Sequence, residues 1–177
     1  MTITTQTRLI IRQRAIFACE FCGVTETDTG GELTIDHFRP QTKDGTDDPD
    51  NLLYCCNRCN LYKADYWPTQ PNDPILWHPR RDPIETHLLL LADGTLYPIT
   101  PIGTFTLKRL RLNRAPLVAY RLRKQSQADE HRLLERYREL VSVLERLHQQ
   151  QVALLEEQQA LLERQRTLLQ QLLRHQA

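Results

Sequence analysis

Two cysteine pairs near the start of the chain are the first residues whose types and spacing indicate chemistry. They read Cys-Glu-Phe-Cys at residues 19–22 and Cys-Asn-Arg-Cys at residues 56–59. A two-residue gap lets both thiolates of a pair bind one ion. We therefore predict one structural zinc, because four thiolates leave no open position for water or substrate. The alternative is a set of buried free thiols. The predicted ligands are Cys19, Cys22, Cys56 and Cys59.

The placement of all five cysteines also bears on the cellular compartment. All of them lie between residues 19 and 59, and the fifth, Cys55, is expected to be a buried thiol beside the site. A disulfide framework would be spread through the fold and would favour an even count. No apolar run approaches the roughly 20 residues that cross a bilayer, and residues 1–13 lack the features of a secretory signal. We expect a soluble cytoplasmic protein.

A second group of polar residues lies between and just after the cysteine pairs. It contains Asp36, His37, Asn51, Asn60 and Lys63. Imidazole titrates close enough to neutrality to accept a proton from a water molecule, as a general base of hydrolysis does. Asp and Asn supply the oxygen ligands that Mg²⁺ prefers, and such a cation can offset negative charge on a substrate. Taken singly, each residue has a structural alternative, such as a turn or a helix cap for Asn51.

Three runs of sequence together resemble the HNH endonuclease motif with its zinc-binding cysteines. They are LTIDHFRP at residues 33–40, DNLL at residues 50–53 and CNRCNLYK at residues 56–63. Asn60 stands where the third signature position often carries histidine. The resemblance implies a ββα-metal finger, in which two antiparallel strands and a helix surround one divalent ion.

The resemblance also implies a role for each residue of the second group. His37 would be the general base, and Asp36 and Asn60 would bind a catalytic Mg²⁺ or Mn²⁺. Asn51 would brace the loop and orient His37, and Lys63, on the same helix face as Asn60, would contact a phosphate. Neighbouring residues of an ideal strand point to opposite faces. The Asp-His pair can therefore act together only if the strand twists or ends there.

Local patterns place these residues on short elements. We predict a helix over residues 8–19, a strand over residues 32–38 and a helix over residues 57–66. Residues 41–51 carry one glycine, one proline and four aspartates, which is typical of a loop.

The proline-rich stretch after the motif is predicted to contain short strands. Ala92-Asp93-Gly94-Thr95 between apolar runs is a hairpin signal. Residues 77–83 and 106–114 resemble, more loosely, an extension that follows the motif in some bacterial HNH proteins. We expect structural roles for His78 and His87.

A basic segment ends this stretch, with seven basic residues and no acidic one from Lys108 to Lys124. Such a stripe suits a phosphate backbone, and the alternative is a solvated helix face. The residues predicted to contact nucleic acid here are Lys108, Arg109, Arg111 and Arg114.

The last third of the chain predicts one long helix, since neither proline nor glycine follows Pro116. Leucine recurs every seven residues from Leu133 to Leu168, which indicates a coiled coil. A helix over residues 117–175 would be about 85 Å long. A second apolar line beside the first favours a bundle, an antiparallel pair or a partner protein. We predict a homo-oligomer, a dimer or higher, formed through residues 133–173.

The sequence thus predicts an α+β fold in three parts. Residues 1–67 would be an HNH nuclease head with a zinc knuckle, residues 68–116 a connecting extension, and residues 117–177 a helical arm. The expected function is metal-dependent endonuclease, acting on DNA rather than RNA, although the net charge of +1 gives no sign of a nucleic-acid binder. The alternative is a non-cleaving zinc-dependent nucleic-acid-binding adaptor that recruits a partner through its coiled coil.

Overall fold

A computed structural model describes the backbone of residues 3–175 and the side chains of residues 3–171. The chain divides into two compact units, Met1–Lys124 and Gln125–Ala177. The side chains of Leu172 and Leu173, part of the predicted oligomer interface, lie outside the described residues.

The first helix brings the chain to the first cysteine pair. Helix α1 spans Thr5–Arg14 and begins at Thr4, whose hydroxyl accepts a hydrogen bond from the Thr7 N–H at 3.1 Å. It ends earlier than the predicted boundary at residue 19, because Ile16 and Phe17 adopt the left-handed conformation with φ of 52° and 56°. This reversal turns the chain into the cysteine knuckle. A four-residue helix, α2, follows at Glu26–Thr29.

Two strands and a helix form the unit that the resemblance implies. Strand β1, Thr34–His37, pairs antiparallel with strand β2, Leu52–Cys55, so that Thr34 faces Cys55 and His37 faces Leu52. All four residues of β2 are buried, so its sequence is continuously apolar and shows no alternation. Helix α3, Asn57–Lys63, follows directly. It ends three residues before the predicted boundary, at Ala64 with φ of 52°.

The middle of the chain contains the predicted hairpin and one helix. Strands β3, Leu88–Leu90, and β4, Leu96–Pro98, pair antiparallel around the Asp93-Gly94 turn. Gly94 has φ of +77°, and a Cβ there would lie 2.9 Å from the Val118 carbonyl oxygen, so the position excludes a side chain. The apolar run at residues 104–107 lies in helix α4, Pro101–Arg109, which Thr100 caps.

Helix α5 spans Ala115–His175 and confirms the predicted long helix. In the second unit its leucines are largely exposed, for example Leu133 at 68% and Leu162 at 62%. Within the described residues, no helix is both long and apolar enough to cross a membrane.

The molecule is therefore a mixed α/β protein with two small sheets and a long C-terminal helix. The core of the first unit lies beneath β2 and the cysteines. Its most deeply buried side chains, at 1% exposure or less, include Ile11, Phe21, Leu52, Leu53, Tyr54, Leu110 and Leu112.

Candidate metal centres and the HNH domain

The first cysteine pair is held in a tight turn between two paired segments. Ala18 and Thr25 form an antiparallel bridge, and the Cys19 N–H donates to the Val24 carbonyl at 2.9 Å. Inside this bridge the Gly23 N–H donates to the Cys19 carbonyl at 2.8 Å. Gly23 has φ of +75°, which a residue with a side chain rarely adopts. The turn brings both sulfurs of the pair to the same side.

The second cysteine pair lies at the start of α3. Cys56 is the residue before the helix, and its sulfur accepts a hydrogen bond from the Cys59 N–H at 3.4 Å. A thiolate at this position is stabilised by the partial positive charge of a helix N-terminus.

The four sulfurs of Cys19, Cys22, Cys56 and Cys59 all lie within 4.8 Å of one another. The Cys22 and Cys56 sulfurs are 3.8 Å apart, which equals the ~3.8 Å edge of a tetrahedron with Zn–S bonds of about 2.3 Å. Among the described residues this is the one cluster of three or more metal-binding side chains of the His, Cys, Asp or Glu type. The cysteines are thus positioned to bind a metal, and their spacing and chemistry fit zinc.

Arg114, predicted to contact nucleic acid, lies against this cluster. One of its guanidinium nitrogens is 3.9 Å from the Cys56 sulfur and 3.7 Å from the Cys59 sulfur. The guanidinium also stacks over the Tyr62 ring, 5.5 Å from its centroid. A zinc ion with four thiolates carries a net charge of −2, so the cation of Arg114 offsets part of that charge.

The first turns of α5 also hold the knuckle. The Tyr120 hydroxyl donates to the Gly23 carbonyl at 2.7 Å. The fifth cysteine, Cys55, is fully buried on β2, and burial raises the pKa of its thiol. It stays protonated at neutral pH and is not part of the sulfur cluster.

Asp36 and Lys63 form a buried ion pair between β1 and α3. The Lys63 ammonium lies 2.9 Å from Asp36 Oδ2 and donates to the His37 carbonyl at 2.7 Å. Lys63 is completely buried, and the Asp36 side chain is 15% exposed. Burial raises the pKa of Asp36, and the neighbouring ammonium opposes that rise. The structure therefore gives Lys63 a partner inside the protein, and the predicted phosphate contact stays a prediction.

His37 is bound to Asp47, a residue for which the sequence predicts no role. Its Nε2 lies 2.7 Å from Asp47 Oδ1, and the same oxygen accepts a hydrogen bond from the Gln41 side chain at 2.8 Å. The bond to His37 holds the pKa of Asp47 below its usual range. Asp47 is one of the four aspartates of the loop. Their density in the sequence was the available signal, and it indicated only a loop.

Asn51 braces the loop between the two strands. Its side-chain oxygen accepts from the Arg39 N–H at 2.8 Å, and its side-chain nitrogen donates to the carbonyls of Arg39 and Thr46 at 3.0 and 2.9 Å. These bonds fix the backbone directly after His37. The contact to the imidazole itself comes from Asp47.

Asn60 lies on α3, one turn before Lys63, and faces β1. Its side-chain nitrogen is 3.4 Å from the Thr34 hydroxyl. Since residues two apart in a strand share a face, Thr34 and Asp36 both lie toward α3. The structure thus places Asp36 and Asn60 on the same side of β1, which ends at His37.

Two arginines that lie far apart in sequence secure the end of the loop. Arg14 donates to the carbonyls of Pro49 and Leu52 at 2.9 and 2.7 Å. Arg80 donates to the carbonyl of Leu52 at 3.0 Å and forms an ion pair with Glu20 at 3.4 Å. Neither arginine was predicted from sequence, because the backbone carbonyls that they bind leave no pattern.

The remaining predicted nucleic-acid residues differ in exposure. Lys108 and Arg111 are exposed, and Arg109 is half-buried. The Arg109 guanidinium donates to the Lys63 carbonyl at 2.8 Å, and the Arg111 guanidinium lies 4.8 Å from the Tyr62 ring centroid. Among the four, Lys108 and Arg111 therefore present the most accessible charges.

Residues 19–65 match the family model described as HNH endonuclease. The chain thus contains an HNH domain, which covers about a quarter of its 177 residues and includes both cysteine pairs. Neither the curated proteins nor the solved structures contain a match to this chain.

Proposed function

We propose that this protein is a metal-dependent endonuclease that hydrolyses phosphodiester bonds in DNA. The HNH domain indicates a nuclease or nucleic-acid-binding function. The observation that supports catalysis is the end of β1, where each polar group is fixed by an ion pair or a hydrogen bond. Asp36 is held by Lys63, His37 by Asp47, and the following backbone by Asn51.

His37 would act as the general base. Its Nε2 donates to the Asp47 carboxylate, so the neutral imidazole carries its proton there and Nδ1 has the free lone pair. Nδ1 is therefore the atom that would accept the proton of the attacking water. As His37 becomes a cation, the Asp47 carboxylate stabilises it.

Asp36 and Asn60 would hold the catalytic Mg²⁺ or Mn²⁺. Both supply the oxygen ligands that these ions prefer, and both lie toward the gap between β1 and α3. Such an ion stabilises charge on the phosphate and on the leaving oxygen. Lys63 contacts Oδ2 of Asp36 and opposes the rise that burial gives to the pKa of this carboxyl.

Cleavage of supercoiled plasmid DNA tests this proposal. Wild-type protein is expected to cut in Mg²⁺ or Mn²⁺ but not in EDTA, and His37→Ala should lose at least ~100-fold in rate. His148→Ala, which removes an exposed histidine of α5, is the matched control and should cut normally. If wild type cuts in no divalent metal, or if His37→Ala cuts equally well, the proposal is wrong.

One observation favours the second candidate, a non-cleaving zinc-dependent adaptor that binds nucleic acid and recruits a partner. The Lys63 ammonium already neutralises Asp36, the one carboxylate of the proposed ion site. An adaptor would bind DNA equally well as wild type and as His37→Ala, with no cleavage in any metal.

The exposed leucines of α5 support self-association as a further part of the proposal. Leu140, Leu147, Leu154 and Leu161 lie on one heptad line and are each 55–60% exposed. A second copy would bury this line as a coiled coil, and two HNH domains in one assembly could cut both strands of a duplex. Light scattering at micromolar concentration should give at least a dimer.

A charged residue introduced on the heptad line tests whether this line forms the interface. Leu154→Glu should lower the mass to that of a monomer, whereas Gln159→Glu, off the heptad line and in the next turn of the helix, should not. A monomeric wild type would contradict self-association without affecting the nuclease proposal.

A further inference from the structure

A cavity of about 160 Å³ adjoins Phe38, the residue after His37, and five aromatic rings contribute to its walls. We call it the aromatic pocket. Its rings belong to Phe38, Tyr66, Trp67, Trp77 and His78. The volume is well below the roughly 300–1,000 Å³ of sites for drug-sized ligands. The aromatic pocket therefore suits one flat ring system rather than a whole nucleotide.

Two walls of the aromatic pocket come from residues close in sequence to the proposed catalytic residues and to Lys63. Phe38, which forms one wall, directly follows His37. Lys63 binds the His37 carbonyl, and Tyr66, on another wall, lies three residues after Lys63. A strand with a phosphate at His37 would thus have a neighbouring base within reach of the pocket.

Two arginines bring positive charge to the walls of the aromatic pocket. The Arg39 guanidinium lies 5.4 Å from the Trp67 ring centroid, and the Arg109 guanidinium lies 5.0 Å from the Tyr66 ring centroid. Aromatic rings that bind bases, next to cations that bind the backbone, are the combination used by proteins that bind single strands.

His78 lines the aromatic pocket and carries a hydrogen-bond donor. The ring is 7% exposed and packs 4.3 Å from the centroid of Phe38. Burial and the nearby charges of Arg80 and Arg81 lower the pKa of His78 to about 4, so it is neutral at pH 7. Its Nδ1 accepts from the Arg80 N–H at 3.3 Å, which leaves the proton on Nε2.

We propose that the aromatic pocket binds one unstacked nucleobase of the nucleic acid, next to the phosphate at His37. The position of that phosphate rests on the proposed function, whereas binding of the base does not. Stacking on aromatic rings accepts any base, and the donor of His78 adds a preference for bases with an acceptor on the edge that enters.

Tryptophan fluorescence, excited selectively over that of tyrosine, reports on the aromatic pocket, because Trp67 and Trp77 are the two tryptophans of the chain and both line it. The experiment uses full-length, zinc-loaded His37→Ala protein and a single-stranded DNA oligonucleotide. Saturable quenching is expected. An oligonucleotide of the same length in which every site is abasic carries the same phosphates and should not quench.

Replacing an aromatic residue of the pocket tests whether that residue contributes to the affinity for the oligonucleotide. By anisotropy of a labelled oligonucleotide, Trp67→Leu should weaken binding by about 5- to 100-fold. Tyr97→Leu removes an exposed aromatic residue of β4 outside the pocket and is the matched control. Zinc content of one per chain checks that each variant is folded, and Tyr66→Leu is the second pocket variant.

The outcomes separate the two proposals. If the abasic strand quenches as strongly as the intact one, or if Trp67→Leu and Tyr66→Leu bind like the parent protein, the aromatic pocket binds no base. That result leaves DNA cleavage by wild type unaffected. If quenching requires bases while wild type cuts in no metal, base binding stands and the nuclease proposal fails.

Discussion

The cysteine cluster and the end of β1 lie in the same HNH domain but are built in different ways. Each half of the sulfur cluster is a cysteine pair set by a local turn of four residues, and the fold then brings Cys22 and Cys56, 34 residues apart in sequence, together. The ion pair of Asp36 has no such local half, because Lys63 lies 27 residues later on another element. Each half of the first site can form locally, whereas the ion pair of the second forms only when β1 and α3 come together.

Loss of one cysteine ligand is the largest effect that this comparison predicts. Cys56→Ser should release the zinc and unfold the head, because the free energy of binding a structural zinc is also free energy of folding. Metal content and far-UV circular dichroism measure it. Cys55→Ala, a neighbouring buried cysteine outside the cluster, should keep one zinc per chain. Equal zinc content in both variants would show that the cluster is not the zinc site.

Breaking the ion pair between Asp36 and Lys63 should have the next largest effect on stability. Lys63→Met leaves the Asp36 carboxylate buried without a partner, at a cost of roughly 3–5 kcal/mol in the free energy of unfolding. Urea denaturation of zinc-loaded protein measures this loss. The double variant Asp36→Asn/Lys63→Met should recover most of it. If Lys63→Met were as stable as wild type, the Asp36–Lys63 pair would not be buried in solution.

A pH dependence is expected from His78, which packs on Phe38 beside the Asp-His pair. Its pKa of about 4 in the folded protein lies below its ordinary value of 6.5. Between these values the unfolded chain binds a proton that the folded protein does not, so stability falls as pH falls from 6.5 to 4.

The size of this effect is at most ~3 kcal/mol. Denaturation of wild type and His78→Leu over that pH range isolates it from the titration of carboxylates, which both proteins share. Parallel stability curves for the two proteins would show that His78 does not cause this pH dependence.

The smallest of these effects concerns the cation beside the cysteines. Arg114→Gln should weaken zinc binding by roughly 10- to 100-fold, the usual range for residues that contact metal ligands. Competition with a chromophoric chelator measures the affinity. Arg111→Gln is the matched control, because Arg111 also stacks on Tyr62 but has no contact with sulfur. Equal affinities would show that the charge of Arg114 does not act on the zinc site.

The same contrast explains how much the sequence could predict. The cysteine cluster, the HNH domain, the two-stranded unit and the long helix are confirmed, because short spacings and a sustained heptad encode them locally. Asp47, Arg80 and the burial of Lys63 were missed, because each depends on a contact that no fixed spacing of residues marks in the sequence. A lysine three residues beyond Asn60 gives the same sequence pattern whether it faces phosphate or a buried carboxylate.

Arg80 and Arg114 lie beyond the residues that match the HNH family, yet Arg80 binds the Leu52 carbonyl at the end of the loop between β1 and β2, and Arg114 contacts the cysteines. The ribosome synthesises the chain from its N-terminus, so the HNH residues emerge before these two arginines. A nascent chain that has emerged only as far as residue 65 contains every signature residue but neither arginine. We expect it to acquire its final loop geometry only after the start of α5 has emerged, which would withhold the proposed DNA cleavage until the head is complete.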